Sequence, residues 1–275
     1  MKWAEDAKWR IERAGDARVV ARESAVATVL AALQSHNSLF RWAATRPGAQ
    51  RLDGRGAAYR VRLDGADWLV RHYRRGGAAV HLGDRYVRLG TPRPFRELAA
   101  SGEARSRGVP TPAVVAAVVY PAGIVYRGDI AVEFIPRSRT LADALFGVRR
   151  RAREGDAPAR ADRDAEMAAR ADEDAAKAAR AAGAAIRQGH DRGLVHPDLN
   201  IRNILLAETG GGLRGYILDL DGARVVDTVE EGARQRMIRR FWRSVRKWEA
   251  RTGHPLSEPV RRAFQGGYAT GQAHE

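Results

Sequence analysis

The residues best suited to chemistry lie in His196-Pro197-Asp198-Leu199-Asn200-Ile201-Arg202-Asn203-Ile204-Leu205-Leu206 and, shortly after it, Ile217-Leu218-Asp219-Leu220-Asp221-Gly222. Asp198 is followed five residues on by Asn203, and sixteen residues later Asp219 ends an apolar strand-like run. Phosphoryl transfer needs such a trio. One carboxylate must orient and deprotonate an acceptor hydroxyl, while an amide oxygen and a second carboxylate hold Mg²⁺ against phosphate oxygens. Set on adjacent strand ends, three such side chains can converge on one nucleotide. The plainer alternative is that His196 and Asp198 cap a turn, with Asp219 and Asp221 in a hairpin loop.

The elements that must position these residues fall into two halves. An apolar run at 24–34 predicts a short helix, followed by a loop to Arg51 that contains Pro47 and Gly48. Residues 57–72 alternate apolar and polar with period two about Asp64-Gly65, which predicts a β-hairpin. RPFRELAASGEARSRG predicts a helix starting near Pro92 or Pro94 and stopped by Gly108. The Val- and Ile-rich stretch from Val109 to Ile135 predicts two or three strands, broken at 121–123 and 127–129. Beyond Pro136 helix dominates. Thr140 and Asp143 form a weak capping box, and 149–187 is an Ala/Arg/Asp/Glu-rich stretch broken at Gly155 and Pro158. After that break its opposite charges at i,i+3 and i,i+4 predict a solvated helix.

The length of 275 residues allows one large domain or two lobes. With 44% hydrophobic and 29% charged residues the chain is globular in composition. No cysteine is present, which excludes disulfides, thiolate metal sites and cysteine nucleophiles. The start has no apolar run of signal-peptide length and the chain no run that could span a bilayer, so the expectation is a cytoplasmic, non-spanning protein. The net charge of +15 is nearly all arginine, because Lys2, Lys8, Lys177 and Lys247 are the only lysines. Such a surface attracts polyanions: nucleotides, nucleic acid or an anionic membrane face.

The loop resembles the catalytic and metal-binding loops of the protein-kinase-like superfamily, H-R-D-x-x-x-x-N followed by D-F-G. Carried over residue by residue, Asp198 is the catalytic base, Asn203 and Asp219 are Mg²⁺ ligands, and His196 is the structural histidine of the loop. Asn200 stands where protein kinases usually carry Lys and aminoglycoside-type kinases His. The run D-L-N-x-x-N-I-L, with Arg71-His72-Tyr73-Arg74-Arg75-Gly76-Gly77, Asp84-Arg85-Tyr86 and Arg93-Pro94-Phe95-Arg96-Glu97-Leu98, is similar to the 3-deoxy-D-manno-octulosonic acid (Kdo) kinases. That resemblance spans roughly residues 50–250. It implies transfer of the γ-phosphate of ATP to the 4-hydroxyl of Kdo on lipid A precursor in lipopolysaccharide inner-core synthesis. It also implies a protein peripheral on the cytoplasmic face of the inner membrane, using ATP and Mg²⁺.

In the first half, Gly54 and Gly56 precede a strand and can cover phosphates with backbone N–H groups, or simply make a turn. Arg71 occupies the place of the usual strand lysine, with Glu97 its helix partner; no lysine lies between Lys8 and Lys177 to take that role. Arginine is always charged and binds phosphate in a fork, so the exchange is chemically workable. Glu133-Phe134-Ile135 ends the last strand before helical sequence, where kinases bind adenine through backbone groups. Three departures from the family pattern stand out: Leu220 where Phe is usual, Asp221-Gly222 where Asp-Arg is expected, and His81 in place of a lysine.

The basic segment RQRMIRRFWRSVRKWEAR carries the stripe Met237, Phe241, Val245 and Trp248 among the cations Arg234, Arg236, Arg239, Arg240, Arg243, Arg246 and Lys247. The stripe is expected to face the core, leaving the arginines to attract anionic lipid. No base-reading motif accompanies the charge, so nucleic acid is not the expected partner. The expected fold is a bilobal, protein-kinase-like α+β: residues 1–50 an extension with a short helix, 51–135 a nucleotide-covering sheet with one helix, and 136–275 a helical lobe with both loops. The rival readings are another small-molecule or protein kinase of the same fold, and a basic pseudokinase favoured by the missing lysine.

Overall fold

The structure, a computed structural model, describes residues 8–52, 57–74, 83–152 and 161–271. Gly54 and Gly56, and with them His81, lie outside the described residues. The chain divides into two compact units, Met1–Ser106 with Pro112–Phe134 and Arg107–Thr111 with Ile135–Glu275.

The first unit is built on an antiparallel sheet. Its elements are β1 (Trp9–Ala14), β2 (Ala17–Arg22), α1 (Val26–His36), α2 (Leu39–Thr45), β3 (Gln50–Leu52), β4 (Ala58–Leu63), β5 (Ala66–His72), β6 (Tyr86–Val87), α3 (Arg93–Ser106), β7 (Val114–Ala122) and β8 (Val125–Glu133). The strand order is β1-β2-β7-β8-β5-β4-β3, with β6 also paired to β8. The hairpin about Asp64-Gly65 forms as the alternation predicts, closing at Leu63↔Ala66 with Gly65 at φ 79°.

Three features differ from the sequence reading. Residues 9–22 are a hairpin whose β2 joins β7, so this part of the expected extension belongs to the sheet. The loop before Arg51 contains a second helix, α2, whose N-cap Ser38 accepts from the Arg41 N–H. The expected break at 127–129 is absent: β8 is paired on both sides, to β7 and β5, and that ladder overrides the turn-like Arg-Gly-Asp.

The Val-rich strands are buried on both faces. Val19, Val115 and Val118 pack with Val29, Leu33, Leu39 and Trp42 of α1 and α2, while Val20, Val114, Ala117 and Val119 pack with Phe95 and Leu98 of α3. Below the α2 side lies Asp129, fully buried. Its carboxylate accepts from the Ser38 hydroxyl and the Phe40 N–H (both 2.9 Å), from the Tyr120 hydroxyl (2.7 Å), and meets His72 Nδ1 at 2.5 Å. A buried carboxylate is tolerable only with donors of this number.

The second unit carries β9 (Ser138–Thr140), α4 (Leu141–Ala152), α5 (Ala161–Asp191), β10 (Leu194–Val195), β11 (Ile204–Thr209), β12 (Gly212–Ile217), β13 (Arg224–Val225), α6 (Glu231–Thr252) and α7 (Glu258–Thr270). The predicted cap is present, with the Asp143 N–H donating to Thr140 Oγ1 at 3.1 Å. The alanine-rich stretch is not a solvated face beyond Ala175: Ala178, Ala179, Ala181, Ala182, Ala184, Ala185 and Ile186 are all buried. Small side chains are what let α5 sit close to α7. A Cβ on Gly183 would lie 2.3 Å from the Phe264 carbonyl oxygen, and one on Gly267 would lie 2.1 Å from that of Arg180. No helix of the described residues is long and apolar enough to cross a membrane.

Candidate active site

In the second unit, the loop 196–203 runs from β10 to β11 and is tied to the chain that delivers Asp219. Gly193 starts it: at φ 86° its added Cβ would strike the Val226 carbonyl oxygen at 1.8 Å, so only glycine lets β10 pair with β13 here. His196 is buried, with Nε2 at 3.0 Å from the Leu218 carbonyl oxygen and the Asp198 N–H donating to its Nδ1 at 3.2 Å. These two partners require the tautomer with the proton on Nε2. Burial pushes this histidine below its ordinary pKa, against the pull of the Leu218 carbonyl and the nearby Asp219 and Asp198, so it is the neutral staple that the bonds need. The expected structural role is therefore visible as two hydrogen bonds.

The loop is also held from within. Asn200 Nδ2 and Asn203 Nδ2 both donate to the Asp198 carbonyl oxygen, at 2.8 and 2.9 Å. The Arg202 N–H donates to Asn200 Oδ1 at 3.0 Å. Asn200, which stands where other kinases place Lys or His, thus closes the turn. The Leu218 N–H donates to the Asn203 carbonyl oxygen at 2.8 Å, which brings the backbone of the position before Asp219 to Asn203. Asp219 itself sits in the left-handed region, φ 60°, a conformation that aspartate tolerates better than most residues. Leu220, the departure from Phe, is buried and fills an apolar place.

Asn203 and Asp219 suit Mg²⁺ by donor chemistry. With its Nδ2 given to Asp198, the Asn203 side chain has its oxygen as the remaining end, and an amide oxygen with a carboxylate is the hard donor pair Mg²⁺ takes alongside water and phosphate. Among the described residues no group of three His, Asp or Glu forms a metal cage.

Helix α6 fastens this loop from outside, through residues the sequence reading left to core or lipid. The His196 N–H meets the Met237 sulfur at 3.1 Å, and the Ile201 N–H donates to Ser244 Oγ at 3.1 Å. Between them Arg240 pairs with Asp198, Nε at 3.1 Å and Nη2 at 2.5 Å from the same Oδ1. Positions 237, 240 and 244 share one helix face, and that spacing was the available signal. The stripe of Met237, Phe241 and Val245 is buried, and Trp248 stacks on Phe146 with ring centroids 5.9 Å apart.

In the first unit, Arg71 of β5 is ion-paired to Glu97 of α3, and Glu97 also accepts from the Tyr73 hydroxyl. Glu97 is buried. The Arg71 guanidinium lies 5.5 Å from the Tyr73 ring centroid. The predicted strand-to-helix charge pair is thus formed, with arginine in place of lysine. Glu133 pairs with Arg22 at 2.7 Å, and its N–H donates to the Ala113 carbonyl oxygen. In the second unit, the Ile135 carbonyl oxygen accepts from Ser138 Oγ at 2.7 Å.

An α+β chain with a sheet-rich first unit and a loop of Asp, Asn and Asp in a helical second unit has the protein-kinase-like organisation. Residues 41–258 match the model of the lipopolysaccharide kinase (Kdo/WaaP) family, and the chain belongs to that family. It is similar to 3-deoxy-D-manno-octulosonic acid kinase of Vibrio cholerae, 30% identical over 70% of this chain and 73% of that one. It is likewise 30% identical to the Xanthomonas oryzae enzyme of the same name, over 77% and 76%. A solved structure of WaaP in complex with acyl carrier protein aligns over 86% of both chains at 16% identity and a TM-score of 0.47, too distant to add to this. The chain is accordingly a phosphotransferase with an alcohol group as acceptor, and its kinase family implies the use of ATP.

Proposed function

We propose that the protein phosphorylates the 4-hydroxyl of a Kdo residue on lipid A precursor, with MgATP as donor, during lipopolysaccharide inner-core synthesis. The observation that carries the reading is the loop itself: Asp198 is held through its backbone by His196, Asn200 and Asn203, so its carboxylate is presented by a fixed frame. The names of the Vibrio and Xanthomonas relatives supply the acceptor. Asp198 takes the proton of the acceptor hydroxyl. The hydroxyl oxygen bonds the γ-phosphorus, the bond to the β,γ-bridging oxygen breaks, and ADP leaves. Arg71, oriented by Glu97, offsets phosphate charge in the role usually given to lysine. Gly54 and Gly56 cover the phosphates, and the backbone at Glu133 and Ile135 meets adenine. Asn203 and Asp219 would hold Mg²⁺, whose charge would offset that on the phosphate oxygens.

The acceptor's lipid places the reaction at the cytoplasmic face of the inner membrane. One surface of the first unit supports such docking. Val87, Leu89 and Ile124 are exposed apolar side chains, Leu89 at 84% and Ile124 at 81%. They lie together, since the Arg88 N–H donates to the Ile124 carbonyl oxygen and Val87 pairs with Val125. Arg88 and Arg127 are exposed beside them, an arrangement suited to anionic lipid.

The deciding experiment is γ-phosphate transfer from labelled ATP to Kdo-bearing lipid A precursor, beside the same lipid lacking Kdo. Label that requires Kdo supports the reading, and the position of the phosphate then tests the 4-hydroxyl. MgATP binding without transfer refutes the acceptor; no binding of MgATP favours a pseudokinase.

A further inference from the structure

Arg240 is an unusual neighbour for a general base. It approaches Asp198 with the Nε and Nη2 edge of its guanidinium, and both nitrogens address one oxygen, Oδ1. The pair is not what holds the loop in place. The Met237 sulfur and the Ser244 hydroxyl already bind the loop backbone at His196 and Ile201, one turn to either side along α6. Nor is it a strong contribution to stability, because the two side chains are 47% and 36% exposed and an ion pair in that setting contributes about 0–1 kcal/mol. For catalysis the contact is adverse while it lasts: a cation on Oδ1 engages a lone pair that the acceptor hydroxyl needs.

A guanidinium edge that is half exposed and satisfied by an exchangeable carboxylate suits another oxyanion, carboxylate or phosphate, since the fork matches both geometries. The acceptor named for the relatives is a sugar acid.

We propose that Arg240 is the binding site for the carboxylate of the acceptor sugar. In the free protein Asp198 Oδ1 occupies this site. The acceptor's carboxylate takes over the guanidinium, one anion replacing another, and Oδ1 is released to the hydroxyl that becomes phosphorylated. A neutral sugar cannot make the exchange and leaves the base engaged. The same residue thereby selects acidic sugars and couples their binding to readiness of the base. This inference rests on the reading of Asp198 as base and of a Kdo-type acceptor.

The test uses the full chain, wild type, Arg240→Gln and Arg240→Lys, with MgATP and two soluble acceptors: an α-Kdo glycoside and its methyl ester, which lacks the negative charge and adds one methyl group. Wild type is expected to prefer the acid by about 30- to 100-fold in kcat/KM, the size of one lost charge-assisted hydrogen bond pair. Arg240→Gln is expected to bring that ratio to within about threefold, with Arg240→Lys between the two. A wild type that takes acid and ester equally overturns the proposal. So does an Arg240→Gln protein that folds by circular dichroism and keeps the full preference. Should Arg240→Gln not fold, the wild-type ratio and Arg240→Lys decide. Should wild type phosphorylate neither sugar, calorimetric binding of the same pair separates the two ideas. An acid preference lost in the Arg240 variants keeps this site and refutes only the reaction assigned to it, whereas equal or absent binding refutes both.

Discussion

Two carboxylates, one in each unit, set a buried acid held by its side chain beside the acid proposed as the base, which is held by its main chain. Asp129 is wholly buried, and its oxygens are met by Ser38, Phe40, Tyr120 and His72 from α2, β7 and β5. Removing such an acid leaves donors stranded. Asp198 is held the other way round. Its backbone N–H and carbonyl are fixed by His196, Asn200 and Asn203, while its side chain is 36% exposed and faces an arginine. Asp129 is immobilised through its oxygens and Asp198 through its main chain, as the proposed exchange of partners at Asp198 requires.

Substitutions should separate the two. Asp198→Asn is expected to lower phosphate transfer by about a thousandfold or more, within the range for a lost general base, with an unchanged thermal melt; transfer near the wild-type rate would remove Asp198 from its role. Asp129→Ala is expected to do the reverse, costing about 3 kcal/mol in a urea titration because buried donors lose their acceptor, with transfer per folded molecule retained. If both variants lose activity equally at full stability, the contrast between the two acids is wrong.

The units should also respond to pH with opposite sign. His190, buried beside Tyr268 and near Arg234, is pushed down to about 4, chiefly by burial and then by that arginine. The unfolded chain therefore binds a proton that the folded one refuses as pH falls from about 6.5 to about 4. The second unit should lose up to about 3 kcal/mol over that interval. His72 goes the other way: burial alone would lower it, but Asp129 and Asp84 outweigh burial and hold it above its ordinary value. Its contribution is fully present below about 6.5 and is lost as pH rises through the elevated value. Hydrogen exchange resolved by unit at pH 5 and pH 8 measures both; equal shifts in the two units would contradict this assignment.

The smallest expected effect concerns the surface of the first unit. Leu89→Asp with Ile124→Asp should weaken sedimentation with anionic vesicles by about tenfold, the scale of losing two partly inserted side chains, while transfer to a soluble Kdo glycoside stays as it was. Vesicle binding that survives would move the docking role to the arginines of α6.

Much of this was legible in the order of residues. The spacing of Asp198, Asn203 and Asp219 is local chemistry, and the alternation of 57–72 about Asp64-Gly65 is local geometry, so both could be read without a structure. The pairing of Arg71 with Glu97 was legible through the resemblance to kinases, whose strand lysine pairs with a helix glutamate and whose pattern puts Arg71 and Glu97 at those two places. What escaped depends on distant partners. The hairpin 9–22 is recruited by β7, the run through Arg127-Gly128-Asp129 is kept extended by a neighbour on each side, and the alanine-rich α5 is buried because α7 offers glycine at its closest approach. Arginines of α6 looked alike in sequence; only the packing of that helix turned Arg240 onto Asp198 and left Arg239 exposed.

By itself, then, the sequence determined the reaction class, since the residue types of the loop and their spacings are properties of short segments, along with the absence of any lysine between Lys8 and Lys177 and the cationic composition. Tertiary structure alone decided which acid is buried, which arginine meets Asp198 and which histidine stays neutral, because burial and hydrogen bonding between residues far apart in the chain fix the environment in which an ionisable group acts.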